Sequence, residues 1–152
     1  MNTPDKIELV LVFRHEPEDE EIFSERVDAV KAGDYYKLVH VPAFAPNIAY
    51  GDIVKVEYDD GEYYFDELIE ESGFSVIHVI IWDAQAKHSV ISMLTQLHCG
   101  VNTNVADDYM VISVPPAAQY PPIRTYLTEQ KEQGGIDFGE TCLSGIHRVQ
   151  LE

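Results

Sequence analysis

Apolar and polar residues first fall into a regular pattern at residues 6–14. Ile7, Leu9, Leu11 and Phe13 share one face of an extended chain and Val10 and Val12 share the other, which predicts a strand covered on both sides for part of its length. Residues 16–21 then place five acids around Pro17, a composition for an exposed loop. Residues 22–32 fit two periods: Phe23, Val27 and Val30 have helical spacing, whereas Phe23, Val27 and Ala29 alternate. The Ala32-Gly33-Asp34-Tyr35 turn that leads into the extended residues 35–41 favours a strand.

Residues 39–58 organise the first half as strand, compact loop and strand. Pro42 and Pro46 punctuate the loop, because proline cannot donate to a sheet ladder. Gly51-Asp52 is a turn signal before an apolar run. Phe44, Ile48 and Tyr50 are too apolar for a solvated loop, so it is expected to fold back and plug a β core. Val54, Val56 and Tyr58 then alternate, Asp59-Asp60-Gly61 supplies a hairpin turn, and the chain returns with Tyr63, Phe65 and Ile69 on one side. Ser72-Gly73 leads to residues 74–82, apolar on both faces and therefore a central strand. The first half reads as a curved antiparallel meander of about six strands, a half-barrel.

The second half changes period. Asp83 is a good N-cap, and Val90, Ile91, Leu94 and Leu97 share a helical face that Cys99-Gly100 would close. Residues 101–105 and 109–114 read as strand pieces around a polar kink, with Pro115-Pro116 as the stop. Pro121-Pro122 opens a second helix with Ile123, Tyr126 and Leu127 inward and Gly134-Gly135 at its end. A last extended segment is expected around 141–149. The expected fold is α+β: an antiparallel meander over 1–73 and a ferredoxin-like β-α-β-α-β lobe over 74–152, the two sharing one core as a single compact domain.

Several of these segments together resemble an uncharacterised bacterial family of unknown function. They are Val12-Phe13-Arg14, Asp34-Tyr35-Tyr36-Lys37-Leu38, the Val41-Pro42-Ala43-Phe44-Ala45 loop with Ala49-Tyr50-Gly51-Asp52-Ile53-Val54, Ser72-Gly73-Phe74-Ser75, Val114-Pro115, and Asp137-Phe138-Gly139-Glu140-Thr141. The resemblance spans most of the chain and supplies no activity, catalytic residue or cofactor. Its members look like those encoded near bacterial polymorphic-toxin and secondary-metabolite loci. The long acidic segments depart from a generic member.

Charge changes the picture most. The chain carries 27 acids against 10 lysines and arginines, a net charge of −17. Such a field repels nucleic acid and anionic lipid and attracts basic partners. Nine tyrosines, six phenylalanines and the β-branched runs argue for a folded chain over an acidic disordered one. Cys99 and Cys142 form no CxxC pair and read as reduced thiols, although a bridge between them stays open. Neither a signal-peptide pattern nor a membrane-length apolar run is present, so a cytoplasmic location is expected.

Candidate chemistry is sparse. His88 and His98 lie at nearly one helical angle but about 15 Å apart along the axis, His98-Cys99 is adjacent, and none of this is metal-ligand spacing. His78, inside an apolar strand, reads as a core histidine. Cys142 or Ser144 with His147 could be imagined as a nucleophile and base, without a Gly-x-Ser-x-Gly elbow. The adjacent pairs Asp59/Asp60, Asp66/Glu67 and Glu70/Glu71 would point to opposite faces of a strand, which does not converge two carboxylates. Phosphate-binding glycine patterns are absent. The reading therefore contains no catalytic set, cofactor or metal.

Two acidic clusters remain. Glu57, Asp59, Asp60, Glu62, Asp66, Glu67, Glu70 and Glu71 lie along one hairpin with Tyr58, Tyr63, Tyr64 and Phe65 interleaved. Glu18, Asp19, Glu20 and Glu21 belong to the earlier loop. Carboxylates with rigid aromatics suit an interface to a basic protein. The plainer reading is a solvated face with its aromatics turned to the core. The functional expectation is a non-enzymatic immunity (antitoxin-like) protein that neutralises a cognate basic bacterial toxin, with Tyr63 or Tyr64 as anchor and no nucleic-acid or membrane partner. The rivals are a small-ligand-binding regulatory module and an enzyme using Cys142 or the histidines on a small substrate.

Overall fold

The computed structural model describes residues 3–152 and divides into two compact units, Met1–Ser72 and Gly73–Glu152. The first unit contains β1 (Lys6–Phe13), β2 (Phe23–Ala32), β3 (Tyr35–Leu38), β4 (Ile53–Asp59) and β5 (Glu62–Glu70). Four sequential antiparallel pairings link these strands, and a parallel contact of β1 with β5, Leu9 opposite Tyr63, closes the ring. The sheet is thus a closed five-stranded ring in place of the expected six-stranded half-barrel. Closure removes two strand edges that would otherwise expose unpaired backbone groups. The alternation read in β1 is kept: Ile7, Leu9 and Leu11 join the core with Val27, Ala29, Leu38 and Val54. On the opposite face of β1, Val10 is buried and Val12 is exposed.

The loop from residue 39 to 52 does fold onto this core, through Ile48 as expected but not through Phe44. Ala45 and Ile48 are buried, whereas Phe44 is 43% exposed. The Glu25 carboxylate accepts hydrogen bonds from three consecutive amides, Ala43 at 2.6 Å, Phe44 at 3.0 Å and Ala45 at 2.9 Å. Those amides turn toward Glu25, and Phe44 stays at the surface. Asp52, read from the sequence only as a turn residue, is 1% exposed. Its two oxygens accept from Ala49 N and Ser72 N, each at 2.9 Å. Ser72 Oγ donates to the Tyr50 carbonyl at 2.6 Å, which ties the loop to the end of the unit a second time.

The second unit runs β6 (Ser75–Ile81), α1 (Ala84–Gln96), β7 (Gly100–Ala106), β8 (Tyr109–Val114), α2 (Tyr120–Glu132), β9 (Ile136–Cys142) and α3 (Gly145–Gln150). Its antiparallel sheet has the order β7-β8-β6-β9, so the apolar strand β6 is central. Val90 and Leu94 of α1 and Tyr120, Ile123 and Leu127 of α2 cover one core with Ile77, Val79, Met110 and Ile112. Asp83 caps α1 by accepting from Gln85 N at 3.0 Å.

Three local expectations are corrected. Residues 101–105 and 109–114 are two paired strands, so the order is β-α-β-β-α-β. The last strand is β9, and residues 145–150 are helical because Ser144 accepts from the His147 amide as N-cap. Finally, α1 ends in a Schellman turn: Cys99 N donates to Leu94 O and His98 N to Thr95 O, both at 3.0 Å. His98, at φ 71°, takes the left-handed position assigned to Gly100, which instead begins β7.

Candidate functional site

The acidic hairpin is built by its turn. Asp60 and Gly61 have φ of 48° and 87°, the two positive values of the two-residue turn that matches strand twist. The turn sets Tyr58 opposite Tyr63, Asp59 opposite Glu62 and Glu57 opposite Tyr64. Val54 enters the core, Val56, Tyr63 and Phe65 pack against it, and the alternate positions Glu57 and Asp59 are exposed. Like charges directly opposite, as at Asp59 and Glu62, are unfavourable. Arg26 of β2 relieves this one: it bonds Glu62 at 2.6 Å and Glu8 at 3.0 Å. The Arg26 hydrogen bond, aided by Tyr64 Oη, holds the Glu62 carboxyl below its ordinary pKa. Asp66 has Lys55 at 3.8 Å. None of the ion pairs among the described residues involves Glu57, Asp59, Asp60, Glu67 or Glu70, all exposed. Glu71 is exposed as well.

The aromatic residues divide differently from the sequence reading. Tyr63 is half-buried on the core, with its ring 6.4 Å from Tyr36 and 5.0 Å from Tyr58. Tyr64 is half-buried and donates to Glu62 at 3.1 Å. Tyr58 is the open one, 62% exposed and backed by Tyr63. It is open because β3 pairs with β4 only at Ile53 and Val54, whereas β1 runs beside Tyr63 at Leu9; this non-local difference left no signal in the sequence.

The two acidic clusters meet at one end only. Because β1 and β5 run parallel, the loop that follows β1 lies at the end of the ring where β5 finishes. Glu18, Glu20 and Glu21, exposed, and Asp19, half-buried with its carboxylate on Glu16 N at 3.1 Å, therefore accompany Glu67, Glu70 and Glu71. The tip at Asp59, Asp60 and Glu62 lies at the opposite end, roughly 20 Å away at the rise of a strand. Near the shared end an apolar cleft of about 410 Å³ opens between residues 11–13 of β1, residues 45–48 of the loop, and Phe65 and Leu68 of β5. Asn47 is the one polar side chain that lines it.

In the second unit, Ser144 does come to His147, but inside the core. His147 is fully buried, with Nδ1 2.6 Å from Ser75 Oγ and 3.2 Å from Ser144 Oγ. Its Nε2 lies 2.9 Å from the Pro115 carbonyl, which can only accept, so Nε2 carries the proton and Nδ1 accepts from Ser75. Without an opening to solvent, this network fixes β6, α3 and residue 115 to one another. Burial pushes the His147 pKa down. Between that lowered value and the unfolded value near 6.5 the unfolded chain binds the extra proton, so stability falls as pH drops through the window. The protection factors of the β6 amides, taken relative to intrinsic exchange at each pH, are expected to fall on acidification below about pH 6.5, and His147→Gln is expected to remove that dependence. Cys99 and Cys142 are buried, and burial pushes the Cys99 thiol to about 11. No group of three or more His, Cys, Asp or Glu among the described residues is arranged to hold a metal. Among those residues no helix is long and apolar enough to cross a membrane.

Comparison with known proteins gives two findings. The chain is similar to a hypothetical protein from Neisseria gonorrhoeae known from a crystal structure: 25% identity, 94% of this chain and 99% of that one covered, and a TM-score of 0.82. No curated protein matches. Residues 25–138 match the domain of unknown function DUF4265. That span takes in the ring from β2 onward and the second unit through α2 and into β9, and by it the chain belongs to the DUF4265 family.

Proposed function

We propose that the chain is a non-enzymatic binding protein for a basic partner and that the β4–β5 hairpin is its contact face. The observation that carries this reading is the pairing of Tyr58, exposed on a tyrosine support, with carboxylates outside the ion pairs of the described residues. Unpaired like charges on one hairpin repel each other, and a cationic partner relieves that repulsion on binding. An immunity protein against a basic toxin, such as an enzyme acting on a polyanion, is the form this reading takes. The resemblance to families encoded near toxin loci favours that form. We read the second unit as a ferredoxin-like lobe, a view its β-α-β-β-α-β order supports, and give it the role of a rigid companion. The small-ligand alternative draws on the apolar cleft, whose volume lies within the range of ligand pockets. It lacks the several convergent polar groups that orient a small molecule.

The test is a pull-down at low salt with the purified product of the adjacent reading frame. The variant carries Asp59→Asn, Asp60→Asn, Glu67→Gln and Glu70→Gln. Glu62 stays, because Arg26 already neutralises it. Capture of a basic product by wild type, with loss in the variant, supports the reading. Equal capture by both, or no basic product beside this chain, overturns it.

A further inference from the structure

The apolar cleft and the acidic segments occupy the same end of the ring. One wall of the cleft is the end of β1, after which Arg14 and His15 precede the acidic residues 16–21. The facing wall is β5, where Phe65 and Leu68 line the cleft, with Asp66 and Glu67 between them and Glu70 beyond. Val12 and Leu68, at its mouth, are 54% and 37% exposed. An apolar hollow with carboxylates along its β5 wall, in a chain of net charge −17, is complementary to a bulky apolar group with a cation beside it. An anionic amphiphile is disfavoured by the same field, and a neutral one leaves the carboxylates unanswered. The loop wall is held by Glu25, whose carboxylate takes up the Ala43, Phe44 and Ala45 amides, so the hollow is formed before anything enters.

We propose that this cleft receives a large apolar side chain of the basic partner, presented next to lysine or arginine. The inference rests on reading the hairpin as a docking face for a basic protein and adds where that partner is anchored. Tyr58 near the tip is level with Tyr63, so the cleft's Phe65 and Leu68 lie roughly 7–17 Å further along by strand rise, within the span of a standard interface. The partner covers both, and the cleft supplies the enclosed, water-free contact that Tyr58 cannot.

Two synthetic peptides test this by calorimetric titration: lysines around a central phenylalanine, and the same peptide with alanine at the centre. Wild type is expected to bind the phenylalanine peptide about tenfold tighter or more, as burial of one aromatic side chain implies. Val12→Trp closes the mouth from an exposed position and is expected to bring the two affinities together while keeping their salt dependence. Leu68→Trp, from the opposite wall, is expected to do the same, and amide exchange of β1–β5 checks that both variants fold. Equal affinities in wild type, or a preference that survives both tryptophan variants, would overturn the cleft as anchor. In the fourfold neutral variant both peptides weaken together and the preference remains. Unchanged binding of both peptides there would overturn the hairpin reading, while a retained phenylalanine preference would still leave the cleft as an apolar site.

Discussion

Replacing Asp52 with alanine is expected to destabilise the first unit by about 3–5 kcal/mol, the loss of two charge-assisted hydrogen bonds from buried amides. The two amides come from separate segments: Ala49 within the loop of residues 39–52 and Ser72 beyond β5. Neither can reach water easily where Asp52 is 1% exposed. Burial raises the Asp52 pKa, against the pull of the Ser72 and Ala49 donors, so part of the loss is offset by removing a desolvated charge. In the full chain, the slowest amides of β1–β5 are expected to exchange roughly 10²–10⁴-fold faster in Asp52→Ala, while those of β6 and β8 keep their rates. Asp52→Asn should recover part of the difference, since its amide oxygen accepts one bond and its NH2 faces the other donor. A change under about 1 kcal/mol in Asp52→Ala would mean that both donors find other partners.

What could be read from the chain follows the range of the physical signal. The hairpin turn, the Asp83 cap and the Pro121-Pro122 helix start are local chemistry, and each lies where the sequence placed it. The ring closure is not local: Leu9 meets Tyr63 across a parallel contact that no turn announces. The turn between β7 and β8 contains Asp107-Asp108 and no glycine, so two strands read as one with a kink. His98 holds a left-handed position usually left to glycine, and Ser144 begins a helix too short to show a period. At the candidate site, the carboxylates could be found by composition alone, whereas the exposed aromatic could not. Tyr58 and Tyr63 stand opposite each other on the same face, and only the neighbouring strand separates an exposed ring from a packed one: β1 runs beside Tyr63, whereas β3 pairs with β4 only at Ile53 and Val54.

The second large effect is kinetic. Four charges removed from one hairpin weaken the field that draws a basic partner inward, and such steering is worth about 10–10³-fold in association rate. The substitutions are mild to the fold: the side chains are exposed, outside the ion pairs, and Asn suits the positive φ of Asp60. The decisive measurement is the stopped-flow association rate with the purified basic partner, for wild type and the fourfold variant, between about 0.02 and 0.2 M salt. The account predicts a wild-type rate that falls steeply with salt and a variant that is slow and nearly flat, the two converging at the high end. Equal rates for the two proteins at low salt, or a wild-type rate indifferent to salt, would contradict it.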